Sequence, residues 1–226
     1  MSRSALQRVR TLMARATGDE KHSESTTSTL DVLWVLYDRV LRVDPQRPDW
    51  EGRDRFILSK GHGPASFYAV LAEKGFFPPE WLDDFLELEG RLGSHPDRQL
   101  VPGVEASTGS LGHGLPMAVG VALALRARRN DARVFVLCGD AELNEGSNWE
   151  AILLAPHLEL GDLTLVVVDN HSSTIPMQPW DAKLGAFGWN ARIVNGHDND
   201  ELERALGPRD GNRPSAVIAD VPEGEW

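Results

Sequence analysis

Two short, almost unbroken aliphatic runs, Arg133 to Cys138 and Leu163 to Val168, are separated by one helix length of chain, and this pair restricts the fold more than any other feature. A strand that faces water on one side alternates apolar and polar residues. A strand apolar at nearly every position is buried on both faces. Helices must then cover both sides, and a crossover helix around Trp149 to His157 joins the two strands into a parallel βαβ unit. Two further candidate strands, Ala191 to Val194 and Ala216 to Val221, alternate with helical stretches around Asp181 to Phe187 and Asn199 to Leu206. The expected fold is α/β, a doubly wound, mainly parallel sheet flanked by helices. No internal repeat or low-complexity tract marks a boundary, so residues 1–226 read as one domain.

The amino-terminal half is more broken. Leu6, Val9, Leu12 and Met13 recur at helical spacing between Ser4 and Ala16, and a second helix is predicted from Leu30 to Leu41, ended by Pro45 and Pro48. Between them Thr17 to Thr29 is too polar for a core loop; it is either a disordered connector or a ligand loop. Arg55 to Ser59 reads as a short strand running into the turn Lys60-Gly61-His62-Gly63. A helix follows from Pro64 and another from Leu115 to Arg126.

A net charge of −11 with no run of Lys or Arg repels a phosphate backbone and gains nothing at an anionic lipid surface, so nucleic acid and membranes are not expected partners. The longest apolar run falls far short of the ~20 residues of a spanning helix. The single cysteine, Cys138, cannot form an internal disulfide, and the first residues lack the apolar segment of a secretory signal. The expected compartment is the reducing cytoplasm. Zinc-ligand spacings are absent, as is a Gly-x-Gly-x-x-Gly after the first strand, which disfavours a nicotinamide oxidoreductase.

Ligands of an open parallel sheet bind outside the carboxyl ends of its strands, and the two aliphatic runs end in Gly139-Asp140 and Asp169-Asn170. Two side-chain oxygens on neighbouring strand ends suit a hard cation, magnesium or calcium, that keeps waters and grips a ligand diphosphate. The alternative is that Asp140 only caps a helix and Asn170 only turns the chain. Thr108-Gly109-Ser110-Leu111-Gly112-His113-Gly114 opens a helix, where glycines let backbone N–H groups approach a phosphate. Histidines in Gly- or Pro-marked loops can act as acids, bases or donors near neutral pH, whereas His157 and His197 read as structural.

In order and spacing, these segments resemble the N-terminal, diphosphate-binding domain of transketolase, a thiamine diphosphate enzyme. The residues that carry the resemblance are Leu58 to Gly63, Ser94-His95-Pro96, Gly103 to Gly112, Gly139-Asp140-Ala141 through Glu145-Gly146, and Asp169-Asn170. The resemblance spans about Ser4 to Val221. It implies the thiamine diphosphate-binding fold, with Asp140, Asn170 and the backbone carbonyl of Ser172 on the magnesium, and Gly139 and Ala141 beside the diphosphate. It further implies that Gly109, Ser110 and Leu111 line the cofactor and that His62 and His95 face the diphosphate and the reacting atoms. His22 falls on another active-site histidine of the family, and Glu145 on an acidic residue near the interface between cofactor sites. The implied reaction moves a two-carbon ketol unit from a ketose donor to an aldehyde acceptor, with the cofactor as electron sink.

The chain departs from the family pattern at three places. Gly-Asp-Gly becomes Gly139-Asp140-Ala141, which fits unless that backbone needs a positive φ. Around His22 the usual Gly-His-Pro-Gly-Gly becomes Lys21-His22-Ser23-Glu24-Ser25, and the loop after Asn170 is shortened. Two alternatives stay open: another thiamine diphosphate carboligase or decarboxylase acting on a 2-oxo acid, or a noncatalytic subunit with a decayed site. The family's pyrimidine-binding and third domains have no counterpart here. The resemblance therefore implies one half of a split enzyme, with a separate pyrimidine-binding subunit as partner, in a heterotetramer.

Overall fold

The computed structural model describes residues 3–16, 27–207 and 211–222. Five strands build the sheet: β1 (Arg55–Leu58), β2 (Val134–Gly139), β3 (Leu163–Asp169), β4 (Asn190–Asn195) and β5 (Ser215–Asp220). Their order is β1-β2-β3-β5-β4, and every pair is parallel. The helices are α1 (Arg3–Met13), α2 (Leu30–Val35), α3 (Ala65–Glu73), α4 (Gly114–Ala127), α5 (Gly146–His157), α6 (Trp180–Ala186) and α7 (Asn199–Leu206). Among the described residues no helix is long and apolar enough to cross a membrane.

The aliphatic runs explain the layers. Along β2 and β3, Phe135, Leu137, Val166 and Val168 pack with α2, α3 and α7 on one face of the sheet. Val134, Val136, Leu165 and Val167 pack with α4, α5 and α6 on the other. Period-two alternation thus divides each strand between two cores, which is why β2 is apolar throughout and β3 carries one half-buried Thr164 before it ends at Asp169. In the β2–β3 register Gly139 lies beside Val168, so Asp140 and Asn170 emerge at the same end of neighbouring strands.

The predicted second helix, Leu30 to Leu41, is found to within one residue, as α2 running on into a π-helical stretch. The π-helical stretch spans Leu36–Val40, and Leu41 is already extended. The prolines come too late to matter: the Arg42 N–H donates to the Asp54 carboxylate at 3.0 Å, which draws the chain away from the helix axis. Asp54 is fully buried at the amino ends of β1 and β2 and accepts six hydrogen bonds, three from Arg42 and three from Arg133. Burial alone would raise its pKa. The backbone N–H groups of Arg133 and Arg42, the Arg42 side chain and the charge of Arg133 outweigh that and hold it below the usual carboxylate range.

α5 begins at Gly146, three residues ahead of the expected stretch, behind an extended Glu145. α7 is capped by Asp198, whose carboxylate accepts from the N–H groups of Asp200 and Glu201.

Candidate active site

At the carboxyl ends of β2 and β3 the polar residues that were excluded from the strands gather. The Asp140 N–H donates to the Val168 carbonyl at 3.1 Å, fastening the first residue after β2 to β3. Asp140 and Asn170 are both buried. Their side-chain oxygens converge: the Ser172 hydroxyl lies 2.8 Å from Asn170 Oδ1 and 3.4 Å from Asp140 Oδ1, and the Ser173 N–H donates to Asp140 Oδ2 at 3.1 Å. Burial raises the Asp140 pKa, the N–H groups of Ala141 and Ser173 oppose the rise, and the nearby Asp169 adds to it.

Asp169 itself is spent on structure. Its carboxylate accepts from Gln178 Nε2, from Trp180 Nε1 at 2.9 Å and from the His171 N–H at 3.2 Å, and so ties the returning loop to the start of α6. His171 turns the chain at φ 58°, and its Nε2 meets Asp220 Oδ1 at 2.7 Å, a contact that raises the imidazole pKa.

A second wall comes from the end of β1. Glu142, buried in the 3-10 turn Ala141–Asn144, accepts from the Ser59 hydroxyl, from the Gly112 N–H at 3.0 Å and from the Gly139 N–H at 3.3 Å. Ser59 Oγ in turn accepts from the Gly114 N–H at 3.0 Å, at the start of α4. Lys60 is buried next door, with Nζ donating to Ser28 Oγ at 3.0 Å. Burial lowers its pKa to about 8 against the pull of Asp140 and Glu142. Two glycines allow the loops to touch. A Cβ on Gly61 would stand 2.7 Å from Thr108 Oγ1, and a Cβ on Gly109 (φ 149°) would stand 2.6 Å from the His95 ring.

The remaining residues singled out from the sequence fall around this floor. His62 is half-buried on the turn after β1. His95 is exposed, its ring against Gly109, its Nδ1 3.1 Å from Ser94 Oγ and its carbonyl accepting from the Tyr68 hydroxyl at 2.9 Å. Ser110 and Leu111 lie on the loop that Glu142 anchors through Gly112, with Ser110 exposed. Glu145 is exposed, its Cβ standing where a Cβ on Gly112 would come within 2.6 Å. Ala141 is exposed and is not among the residues with positive φ, so alanine costs nothing there in backbone strain. His22 lies outside the described residues, as does most of its polar loop. His197 meets Asp31 at 2.9 Å, and His157 sits exposed in the last turn of α5.

Sequence reasoning assigned no role to Glu142, Lys60 or Ser59. A signal was present: charged residues directly beside aliphatic strand ends, with nothing local to pair them. Among the described residues no three His, Cys, Asp or Glu side chains gather as a metal cage. Asp140 and Asn170 are oxygen donors of the kind that could hold a hard cation.

Residues 2–220 match the family described as transketolase, thiamine diphosphate binding domain. The chain is 50% identical over 212 residues to ferredoxin fas2 of Rhodococcoides fascians, covering 93% of this chain and 70% of that protein. The 226 residues hold one cysteine, too few for thiolates alone to ligate an iron–sulfur cluster. The chain is 36% identical over 213 residues to the 6-deoxy-6-sulfo-D-fructose transketolase subunit SqwG of Clostridium sp. (strain MSTE9), covering 90% of this chain and 78% of the relative. Among solved structures, transketolase from Leishmania mexicana superposes with a TM-score of 0.86 at 30% identity, over 96% of this chain but only 36% of that one.

Proposed function

The chain belongs to the family of transketolase thiamine diphosphate binding domains, and from that premise we propose that it is the diphosphate-binding subunit of a split transketolase. It transfers a two-carbon ketol unit from a ketose to an aldehyde, together with a second polypeptide that supplies the pyrimidine-binding part. The relative named as a transketolase subunit supports this reading, since this chain accounts for most of its length and for about a third of the solved transketolase. We take residues 1–226 as one domain, two such pairs as a heterotetramer, and the cytoplasm as its compartment. Nucleic acid and membranes have no part in it.

The observation that carries the proposal is the convergence of the Asp140 and Asn170 oxygens on one point at neighbouring strand ends. Asp140, Asn170 and Ser172 would hold magnesium, or calcium in its place, and the cation would neutralise a diphosphate. Thiamine diphosphate, when bound, supplies the nucleophilic carbon and the electron sink for breaking a carbon–carbon bond. The chain's own residues do the rest. Backbone N–H groups of Gly109, Ser110 and Leu111, with Gly139 and Ala141, would line the diphosphate end. His62 and His95 would orient the donor's oxygens and pass protons through their ring nitrogens, with His22 joining them from its loop. Glu145 would stand toward the neighbouring cofactor site.

The test is a ketol-transfer assay with thiamine diphosphate and magnesium, on the chain alone and with its partner subunit. The pair should be active and the chain inactive. Transfer by the chain alone removes the split reading, and carbon dioxide release from pyruvate by the pair, with no ketol transfer, replaces the reaction.

A further inference from the structure

We propose that Glu142 is a positioning residue that fixes the diphosphate end of the site by holding three chain segments to one carboxylate. This rests on the function proposed above. Oε1 accepts from the Gly112 N–H, which sets the loop Gly109–Gly112, and from the Ser59 hydroxyl at the end of β1. Oε2 accepts from the Gly139 N–H, which sets the turn that presents Asp140. Its own backbone carbonyl accepts from Asn148 Nδ2 at 2.7 Å, tying the turn to α5. Ser59 and Gly112 reach Glu142 from 83 and 30 residues away in the chain, whereas Gly139 belongs to the same turn, and the Ser59 hydroxyl adds a second tie by accepting from the Gly114 N–H.

The packing leaves no slack in this arrangement. A Cβ on Gly114 would come within 2.3 Å of Ser59 Cβ and Oγ, and one on Gly139 would meet Lys60 Cδ at 3.3 Å. A charge placed out of water is tolerated only when its lone pairs are taken, and here three donors from three segments take them. A hydrophobic residue of similar volume could fill the space. It could not hold two backbone N–H groups of separate loops at a fixed spacing.

Glutamine is the informative substitution, because it keeps the length and shape and changes one acceptor oxygen into a donor. In one amide orientation the NH2 faces the Gly139 N–H; in the other it faces the Gly112 N–H. Either way one loop is released.

Glu142→Gln should weaken thiamine diphosphate binding in the presence of magnesium about tenfold, measured by calorimetry on the full chain in its purified assembly. The kcat at saturating cofactor should stay within threefold of wild type. In the ligand-free protein, amide exchange at Gly112 and Gly139 should speed about tenfold while β3 amides keep their protection. Weakening of less than threefold overturns the proposal, and so does a fall in kcat beyond threefold at unchanged affinity. If Glu142→Gln does not fold, Glu142→Asp decides: it keeps the charge but is one methylene too short to reach all three donors, and weakening of threefold or more supports the role while less overturns it. If the wild type binds no thiamine diphosphate, the proposed function fails by itself. The exchange measurement then decides alone whether Glu142 holds the loops: unchanged exchange at Gly112 and Gly139 overturns it.

Discussion

The two ends of the same sheet solve the burial of charge in opposite ways. At the amino ends of β1 and β2, one buried carboxylate, Asp54, is answered by two arginines and six hydrogen bonds. Its pKa is held down. At the carboxyl ends three carboxylates, Asp140, Glu142 and Asp169, are buried, and the buried cation Lys60 pulls on the first two. The pKa values of Asp140 and Glu142 are pushed up, by burial first. The closed end has reached electrostatic satisfaction with groups of the chain itself. The open end carries surplus negative charge in a place with little water, and a divalent cation is what would balance it. The first end is built for stability, and the proposed binding lies at the second.

The largest expected effect breaks the satisfied end. Asp54→Ala leaves the Arg42 and Arg133 side chains without their carboxylate and should cost roughly 3–5 kcal/mol in denaturant unfolding. Cofactor affinity of the folded fraction should hold; a variant as stable as wild type contradicts the contrast. At the other end Asp140→Ala should weaken thiamine diphosphate and magnesium binding about a hundredfold, or ~2.7 kcal/mol, with little loss of melting temperature. Calorimetry showing unchanged affinity moves the site elsewhere.

His62→Ala and His95→Ala should each lower ketol transfer at least tenfold and shift stability by ~0.5 kcal/mol or less. Large melting losses with intact rates reverse that assignment. The two ends also predict opposite pH responses. Asp140 and Glu142 are raised on folding, so the folded chain binds the extra protons, and ligand-free stability should rise as pH falls from neutral through their raised values. His171, raised chiefly by its bond to Asp220, adds in the same direction. Asp54 is lowered, so its contribution persists above the ordinary carboxylate range and is lost as pH falls through its own depressed value. Melting temperature should climb on mild acidification, then collapse, and Asp140→Asn should flatten the climb. A monotonic fall from neutral pH refutes it. The smallest effect is at Ala141→Gly, which should lose ~0.5 kcal/mol of stability and gain no cofactor affinity, since the backbone there has no need of glycine. A tightened affinity would show that the alanine does disturb the site.

The sequence by itself determined the layers and the direction of the site. Aliphatic runs at Arg133 to Cys138 and Leu163 to Val168 demand strands buried on both faces, and the spacing between them demands a crossover helix. Once those strands are parallel neighbours, Asp140 and Asn170 must leave the sheet at the same end. What the tertiary structure alone decided is which polar groups meet. Ser59 and Gly112 reach Glu142 across 83 and 30 residues of chain, and Arg133 reaches Asp54 across 79. The end of the helical run at Val40, which the prolines did not cause, follows from the same Asp54. Periodicity records whether a position faces a core or water. It carries no information about the partner of a buried charge, because that choice is made by the packing of distant segments, and there the desolvation of each charge leaves only arrangements in which a donor arrives from elsewhere in the fold.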